Sequence, residues 1–315
     1  MKNLWSSKDS SPGWLKGRWL NFINKKGMRK VEFLAQIAVR QYLSHAYQWV
    51  ETPVFPMPDE AYVDLWQRCS DLAQIQGVIP ALETCFFLPM GNISWRWPEA
   101  LLLSVVRTPV GRIPVLETGE KTDFIYLEQL LSGRETPLEL PESVNAFAIC
   151  GKKFPFEGHR MILLCQGGYC SLSAQELGLG EELWVEKSRL IRLAHECSHY
   201  CTLRIFGGMK NHPLDELIAD CMGQLAAFGC FKADLQRKFF GLDEFGNYKG
   251  GRLAYYCRLS EGEFKVLCLY IHQAIEALDE YLQHYPSFTV EKNQIQLLMQ
   301  LAVKGILPIA KGNFS

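Results

Sequence analysis

The stretch LAHECSH, residues 193–199, places two histidines four positions apart with a glutamate directly after the first. In an α-helix, residues four apart lie on one face, so His195 and His199 would present two imidazoles close enough to bind one ion. Glu196 stands about 100° further round the same helix. Catalytic zinc takes three protein ligands and keeps a fourth position for a water, whose pKa it lowers toward neutrality. Glu196 is then placed to accept that water's proton. With seven histidines in the chain, the H-E-x-x-H pattern arises by chance about once in a hundred sequences of this composition, so its surroundings must decide.

Those surroundings are helical. Leu190, Ala194, Cys197, Cys201 and Ile205 form an apolar stripe, and Gly207 and Gly208 supply a stop. After a short loop, NHPLDELIADCMGQLAAF (211–228) begins a second helix, with Pro213 at an early position where its missing N–H is harmless. Leu214, Ile218, Cys221, Leu225 and Phe228 form its core stripe. The neighbouring line carries Glu216 and Asp220 one turn apart, then Gly223 and Ala227, small residues that let another helix approach. A loop as short as GGMKNH predicts an antiparallel hairpin that brings both carboxylates beside the histidines. One carboxylate can bind the ion while the other accepts the spare N–H of a ligating histidine and fixes its tautomer. Glu216 is assigned the first role and Asp220 the second, with one Zn2+ expected per chain.

HECSH followed by ELIAD (216–220) resembles the HExxH and ExxAD motif pair of gluzincin metallopeptidases, and is similar in layout to soluble ImmA/IrrE-type and to Ste24/HtpX-type enzymes. The resemblance is confined to the segment carrying the two motifs. It implies a zincin-like core in which His195, His199 and Glu216 hold zinc and Glu196 is the base. Ste24/HtpX-type enzymes are membrane proteins, and this chain offers no transmembrane segment. Enzymes of this kind run a β-strand beside the active helix, along which an extended peptide can lie. HRMILLCQGGY (159–169) is the candidate for that edge strand, an ordinary internal strand being the alternative. Cys197, inside the motif, reads as a packing residue. The donor for the developing oxyanion is left open among Arg252, Tyr255, Tyr256 and His272, which follow the motif. His212 could compete as a ligand, or cap the second helix, or be exposed; His159 and His284 have no motif context.

Composition narrows the rest. The 315 residues are 48% hydrophobic, with 33 Lys plus Arg against 34 Asp plus Glu, so the whole-chain charge gives no sign of a polyanionic partner. The first thirty residues differ: Lys2, Lys8, Lys16, Arg18, Lys25, Lys26, Arg29 and Lys30 face only Asp9, with Trp5, Trp14 and Trp19 interleaved. A solvated terminus is the plain reading; nucleic-acid or membrane-surface contact is the sharper one. No apolar run is long enough for a signal peptide or a bilayer span: 264–278 carries Lys265, His272 and Glu276, and 294–310 carries Lys304 and Pro308. Eleven cysteines lie scattered without CxxC pairs, which argues against a disulfide framework and for a cytoplasmic setting.

The predicted architecture is α+β and mostly helical. A basic arm (1–27) precedes a helical region (28–100), whose first helix would bury a stripe of Val31, Leu34, Ala38, Tyr42, His45 and Trp49. Pro53, Pro56 and Pro58 then forbid helix before a second one from about Asp59 to Gln76. Short apolar runs from Leu101 to Cys170, interrupted by a loop at 133–143, read as a small β-sheet that opens the metallopeptidase core (101–231). The remainder (232–315) is helical and packs on that core, with a capping box at Ser260 and Glu263 and a last helix from about Thr289 to Gly305. The function expected is a zinc-dependent metalloendopeptidase acting on a protein or peptide substrate. The alternatives are a non-catalytic zincin-like interaction or sensor module, and a metal-free helical protein with an accidental motif.

Overall fold

The structure, a computed structural model, describes residues 33–49, 51–88, 94–141 and 143–314. The basic arm (1–27), and any start of the first helix at Met28, lie outside the described residues. Helix α1 covers 33–43 and buries Ala35, Val39 and Leu43, leaving Leu34 and Trp49 exposed. The stripe expected from Leu34 to Trp49 is therefore displaced by one position, and His45 lies beyond the helix. Phe33, Leu34 and Ile37 make the opposite face apolar as well, so periodicity alone could not select the buried side.

Helix α2, Val63–Gln76, starts four residues later than Asp59. Asp59 is held instead by the sheet, accepting from the Arg112 backbone at 2.6 Å and from its Nε at 2.8 Å. At Gly77, φ is 88°, and the chain breaks there into α3, Val78–Phe86. A β-carbon would strain this conformation.

The sheet has four strands: β1 (Leu102–Thr108), β2 (Gly111–Thr118), β3 (Ala146–Cys150) and β4 (Arg160–Cys165), in the order β1-β2-β4-β3. β1 and β2 form an antiparallel hairpin, β2 and β4 run parallel, and β3 returns antiparallel to β4. Helix α4, Lys121–Ser132, links β2 to β3; the Glu120 side chain caps it by accepting from the N–H of Thr122. The sheet separates two cores. Met161, Leu163 and Cys165 of β4 pack with α2, α3 and α4, whereas Ile162 and Leu164 pack on the side of the later helices. Of the two readings of 159–169, edge strand or internal strand, the structure gives the second: β4 is an inner strand, and the edge beside it is β3.

Helix α5, Glu181–Phe206, crosses the second face, and α6, Pro213–Phe228, returns along it. The pairs Ile191 with Gly223, His195 with Asp220, and His199 with Glu216 ascend on one helix while descending on the other, which fixes the antiparallel hairpin. A β-carbon on Gly223 would lie 2.8 Å from Ile191 Cγ2 and 3.0 Å from its carbonyl oxygen, so only glycine permits this approach. Helices α7 (Ala233–Phe240), α8 (Glu261–His284), α9 (Glu291–Lys304) and α10 (Ile306–Ile309) complete the C-terminal layer. α8 begins at the capping box of Ser260 and Glu263. Leu267, Ile271, Ile275, Leu278, Leu298 and Leu301 share one core with α1, α5 and α6. Among the described residues, no helix is long and apolar enough to cross a membrane.

Candidate metal centre

On α5, the Nε2 atoms of His195 and His199 lie 2.9 Å apart with their rings at 88°. From α6, Glu216 presents Oε2 at 3.5 Å from His195 Nε2 and Oε1 at 3.6 Å from His199 Nε2. All three side chains are buried, and their ligating atoms fall within 4.8 Å of one another. This group can hold a metal ion, and among the described residues it is the one cluster of its kind. The donor set of two imidazole nitrogens, a carboxylate and no thiolate fits a borderline divalent ion with one position left open.

What aims these atoms inward is Asp220. Its Oδ1 lies 3.0 Å from His195 Nδ1, so that nitrogen carries a proton and Nε2 is the nitrogen turned to the centre. Asp220 is fully buried and accepts from three further groups: the Tyr169 hydroxyl at 2.6 Å, Gln236 Nε2 at 2.7 Å and Arg252 Nη2. Gln236 is held in turn by Gln224 Nε2 at 3.0 Å. Arg252 also donates through Nη1 to Glu216 Oε2 and to the Tyr256 hydroxyl, both at 3.2 Å. Its guanidinium lies over the rings of Tyr169, Phe240 and Tyr256 at 5.3, 5.6 and 5.9 Å.

The charges of the cluster follow from this wiring. Burial alone would push the carboxyls up, but Arg252 and the bond from His195 hold Asp220 far below the usual range. The His195 bond, with His199 and Arg252 nearby, holds Glu216 down at about 2. Burial opposes charge on His195, yet Asp220 and Glu216 lift it to about 9. For His199, burial and the charge of His195 outweigh Glu216 and Asp220 and depress it to about 4. Glu196 is buried on the face of α5 toward β3. Desolvation raises its carboxyl to about 7, against the nearby charge of His195 and a hydrogen bond from the Ala148 backbone.

The remaining candidates separate cleanly. Arg252 and Tyr256 reach the centre; Tyr255 is 61% exposed, and His272 packs against Gly246 with Nδ1 3.8 Å from Glu276. His212 is neither a ligand nor exposed: its Nδ1 accepts from the N–H of Leu214 at 3.1 Å and caps α6. His159 accepts from Trp66 Nε1 at 3.2 Å, and His284 meets the Glu280 carbonyl on the surface. Cys197 is half-buried against the main core, its thiol pushed well up by desolvation, as a packing residue requires. Sequence reasoning missed Tyr169, Gln224 and Gln236. A β-carbon on Gly168 would meet the Leu172 carbonyl at 2.4 Å, and this tight turn is what lowers Tyr169 into the centre.

Fold and site together define an α+β protein, mostly helical, with a buried two-histidine, one-glutamate cluster on a helical hairpin behind a small mixed sheet. The chain belongs to a family of unknown function, DUF7005, which matches residues 88–154 and 157–313. Those segments hold the whole sheet and every residue of the cluster. No curated protein and no solved structure matches the chain.

Proposed function

We propose that this protein is a zinc-dependent metallopeptidase with a zincin-like core, in which His195, His199 and Glu216 hold the ion and Glu196 is the general base. The observation that carries the reading is the joint placement of three inward-facing ligand atoms and a further carboxyl, Glu196, that belongs to the helix of the two histidines but is not among the ligands. A purely structural metal site needs no such base. Zinc bound there would act as a Lewis acid on a peptide carbonyl and lower the pKa of a water.

The chain's own residues supply the rest. With its carboxyl near 7, Glu196 can take the proton of the attacking water at neutral pH and return it to the leaving amine. Asp220 keeps His195 in the ligating tautomer. The Tyr256 hydroxyl accepts from Arg252 and retains its own proton to donate, which makes it our assignment for the oxyanion. On β3, the bonds from Cys165 N–H to Asn145 and from Gly151 N–H to His159 set the ladder phase. Ala146, Ala148 and Cys150 therefore turn their backbone N–H and C=O away from β4; the Ala148 N–H donates to Glu196, and an extended peptide can add at the backbone groups of Ala146 and Cys150 on either side of it.

The test is metal stoichiometry by elemental analysis of protein purified without added zinc, with hydrolysis of an unstructured protein measured alongside. About one zinc per chain, lost in His199→Ala and Glu216→Ala but kept in the inactive Glu196→Gln, is the expected result. Absence of zinc from the native chain even after stoichiometric addition would sink the proposal, and zinc without any peptide hydrolysis would leave a non-catalytic metal module.

A further inference from the structure

Arg192 stands on α5 one turn before Glu196 and is 3% exposed. Charged side chains at that depth are ordinarily paired. Arg252 obeys the rule, holding Glu216 and Asp220. Arg192 does not. Among the described residues, its hydrogen bond runs from Nη2 to the Gly167 carbonyl. The titratable groups around it are Tyr169, Cys165 and Cys170, which burial keeps in their neutral forms.

A guanidinium carries five N–H donors in a planar fork, and this one lines a cavity of about 120 Å³ at the C-terminal ends of β2 and β4. Thr118, Cys165, Gln166 and Arg189 contribute to its walls. Two carboxylates also line it: Glu117, which Arg189 grips with two bonds at 2.5 and 2.6 Å, and Glu186, which is exposed. A small cavity beside an uncompensated guanidinium is complementary to a group with two adjacent anionic oxygens.

We propose that this cavity is an anion subsite and that Arg192 receives a carboxylate of the substrate, borne on an acidic side chain or on a C-terminus. Its position supports this. A β-carbon on Gly167 would lie 3.6 Å from the Asn145 amide nitrogen and 3.9 Å from Arg192 Nη2. The cation thus sits at the start of β3, whose open edge meets Glu196 at Ala148. Two strand residues advance the chain by roughly 7 Å, so the recognised carboxylate falls about two residues from the bond that is cut. The word substrate rests on the metallopeptidase reading; the anion site itself does not.

Titration calorimetry of the full chain with sodium glutarate and, separately, inorganic phosphate, at constant ionic strength, tests the subsite. Glutarate should saturate one site, bind at least tenfold more weakly to Arg192→Gln, and fall between these limits for Arg192→Lys. His199→Ala, which dismantles the metal centre, should leave glutarate binding unchanged and so excludes capture by a bound ion. Removing an uncompensated cation should not unfold the protein, so Arg192→Met is expected to keep the native Tm while losing the rise that glutarate produces. Absence of saturable glutarate binding, tighter phosphate than glutarate binding, or a glutarate-induced Tm rise that persists in Arg192→Met would overturn the proposal. Glutarate binding with no peptide hydrolysis would leave the subsite standing and remove the peptidase reading. Hydrolysis in which Arg192→Gln keeps the native ratio of KM for free-acid and amidated peptides would do the reverse.

Discussion

Asp220 collects His195, Tyr169, Gln236 and Arg252 on two oxygens at zero exposure, so its removal disturbs the ligand it orients without touching the ion. Asp220→Asn should keep the fold but weaken zinc binding about 10- to 100-fold, as partners of ligating histidines generally do; competition with a chromophoric chelator measures it. At the same scale, Glu196→Gln should bind zinc as tightly as the native chain while kcat falls about 10²- to 10⁴-fold, the range of a lost proton carrier. Tyr256→Phe should lower kcat about 10²- to 10³-fold with little change in KM if its hydroxyl meets the oxyanion. Equal losses in KM would make it a binding residue instead. His195, Glu196, His199, Glu216 and Asp220 could be read from sequence because helical spacing is local. Tyr169 and Gln236 could not: they reach Asp220 across 51 and 16 positions, from a loop and from another helix, and no period announces such a contact.

Among the elements, the α5–α6 hairpin depends on Gly223. In an open helix, alanine for glycine gains about 1 kcal/mol of propensity. Here the added carbon meets Ile191 backbone and side chain inside normal contact distance, and overpacking of this kind costs about 1 to 3 kcal/mol. Gly223→Ala should therefore lower the denaturant midpoint and loosen zinc together; a higher midpoint would show that the helices can separate freely. The first turn of α6 has its own switch in His212. Burial, aided by nearby His45, holds its imidazole down to about 4 from 6.5, and the cap needs its Nδ1 unprotonated. The unfolded chain thus binds a proton that the fold refuses. The stability contributed by neutral His212 is full above 6.5 and is lost as the pH falls toward 4. His212→Asn retains a capping acceptor but not the titration, so its melts should lose less than the native chain does across that window. Strand order was less legible. The run RMILLC shows no polar alternation because β4 is covered on both faces, with Met161, Leu163 and Cys165 in one core and Ile162 and Leu164 in the other. That is the mark of an inner strand. The open edge went to β3, whose AFAIC is shorter and partly exposed.

Across the whole molecule, two apolar layers clamp a sheet, and the centre is wired to both the sheet and the C-terminal helices. Glu196 contacts β3, Tyr169 follows β4, and Arg252 comes from the segment between α7 and α8. The sequence predicts that the C-terminal helical region packs on the core. What sequence did not show is that residue 252 supplies the counter-charge for two ligand-helix carboxylates, because a 3₁₀ turn of five residues carries no strong pattern. This wiring separates metal loss from unfolding. Zinc at a hundred times its Kd should stabilise the native state by about 2.7 kcal/mol, and chelation should lower Tm accordingly. The near-ultraviolet circular dichroism should nevertheless persist, since Arg252 still balances Glu216 and Asp220. In Arg252→Ala the same carboxylates lose their fixed cation, and breaking one side of such a buried pair costs about 3 to 5 kcal/mol. That variant should be marginal when free of metal and recover much of the loss when zinc is added. Equal sensitivity of the native chain and Arg252→Ala to a chelator would mean that the arginine does not hold the metal-free centre together.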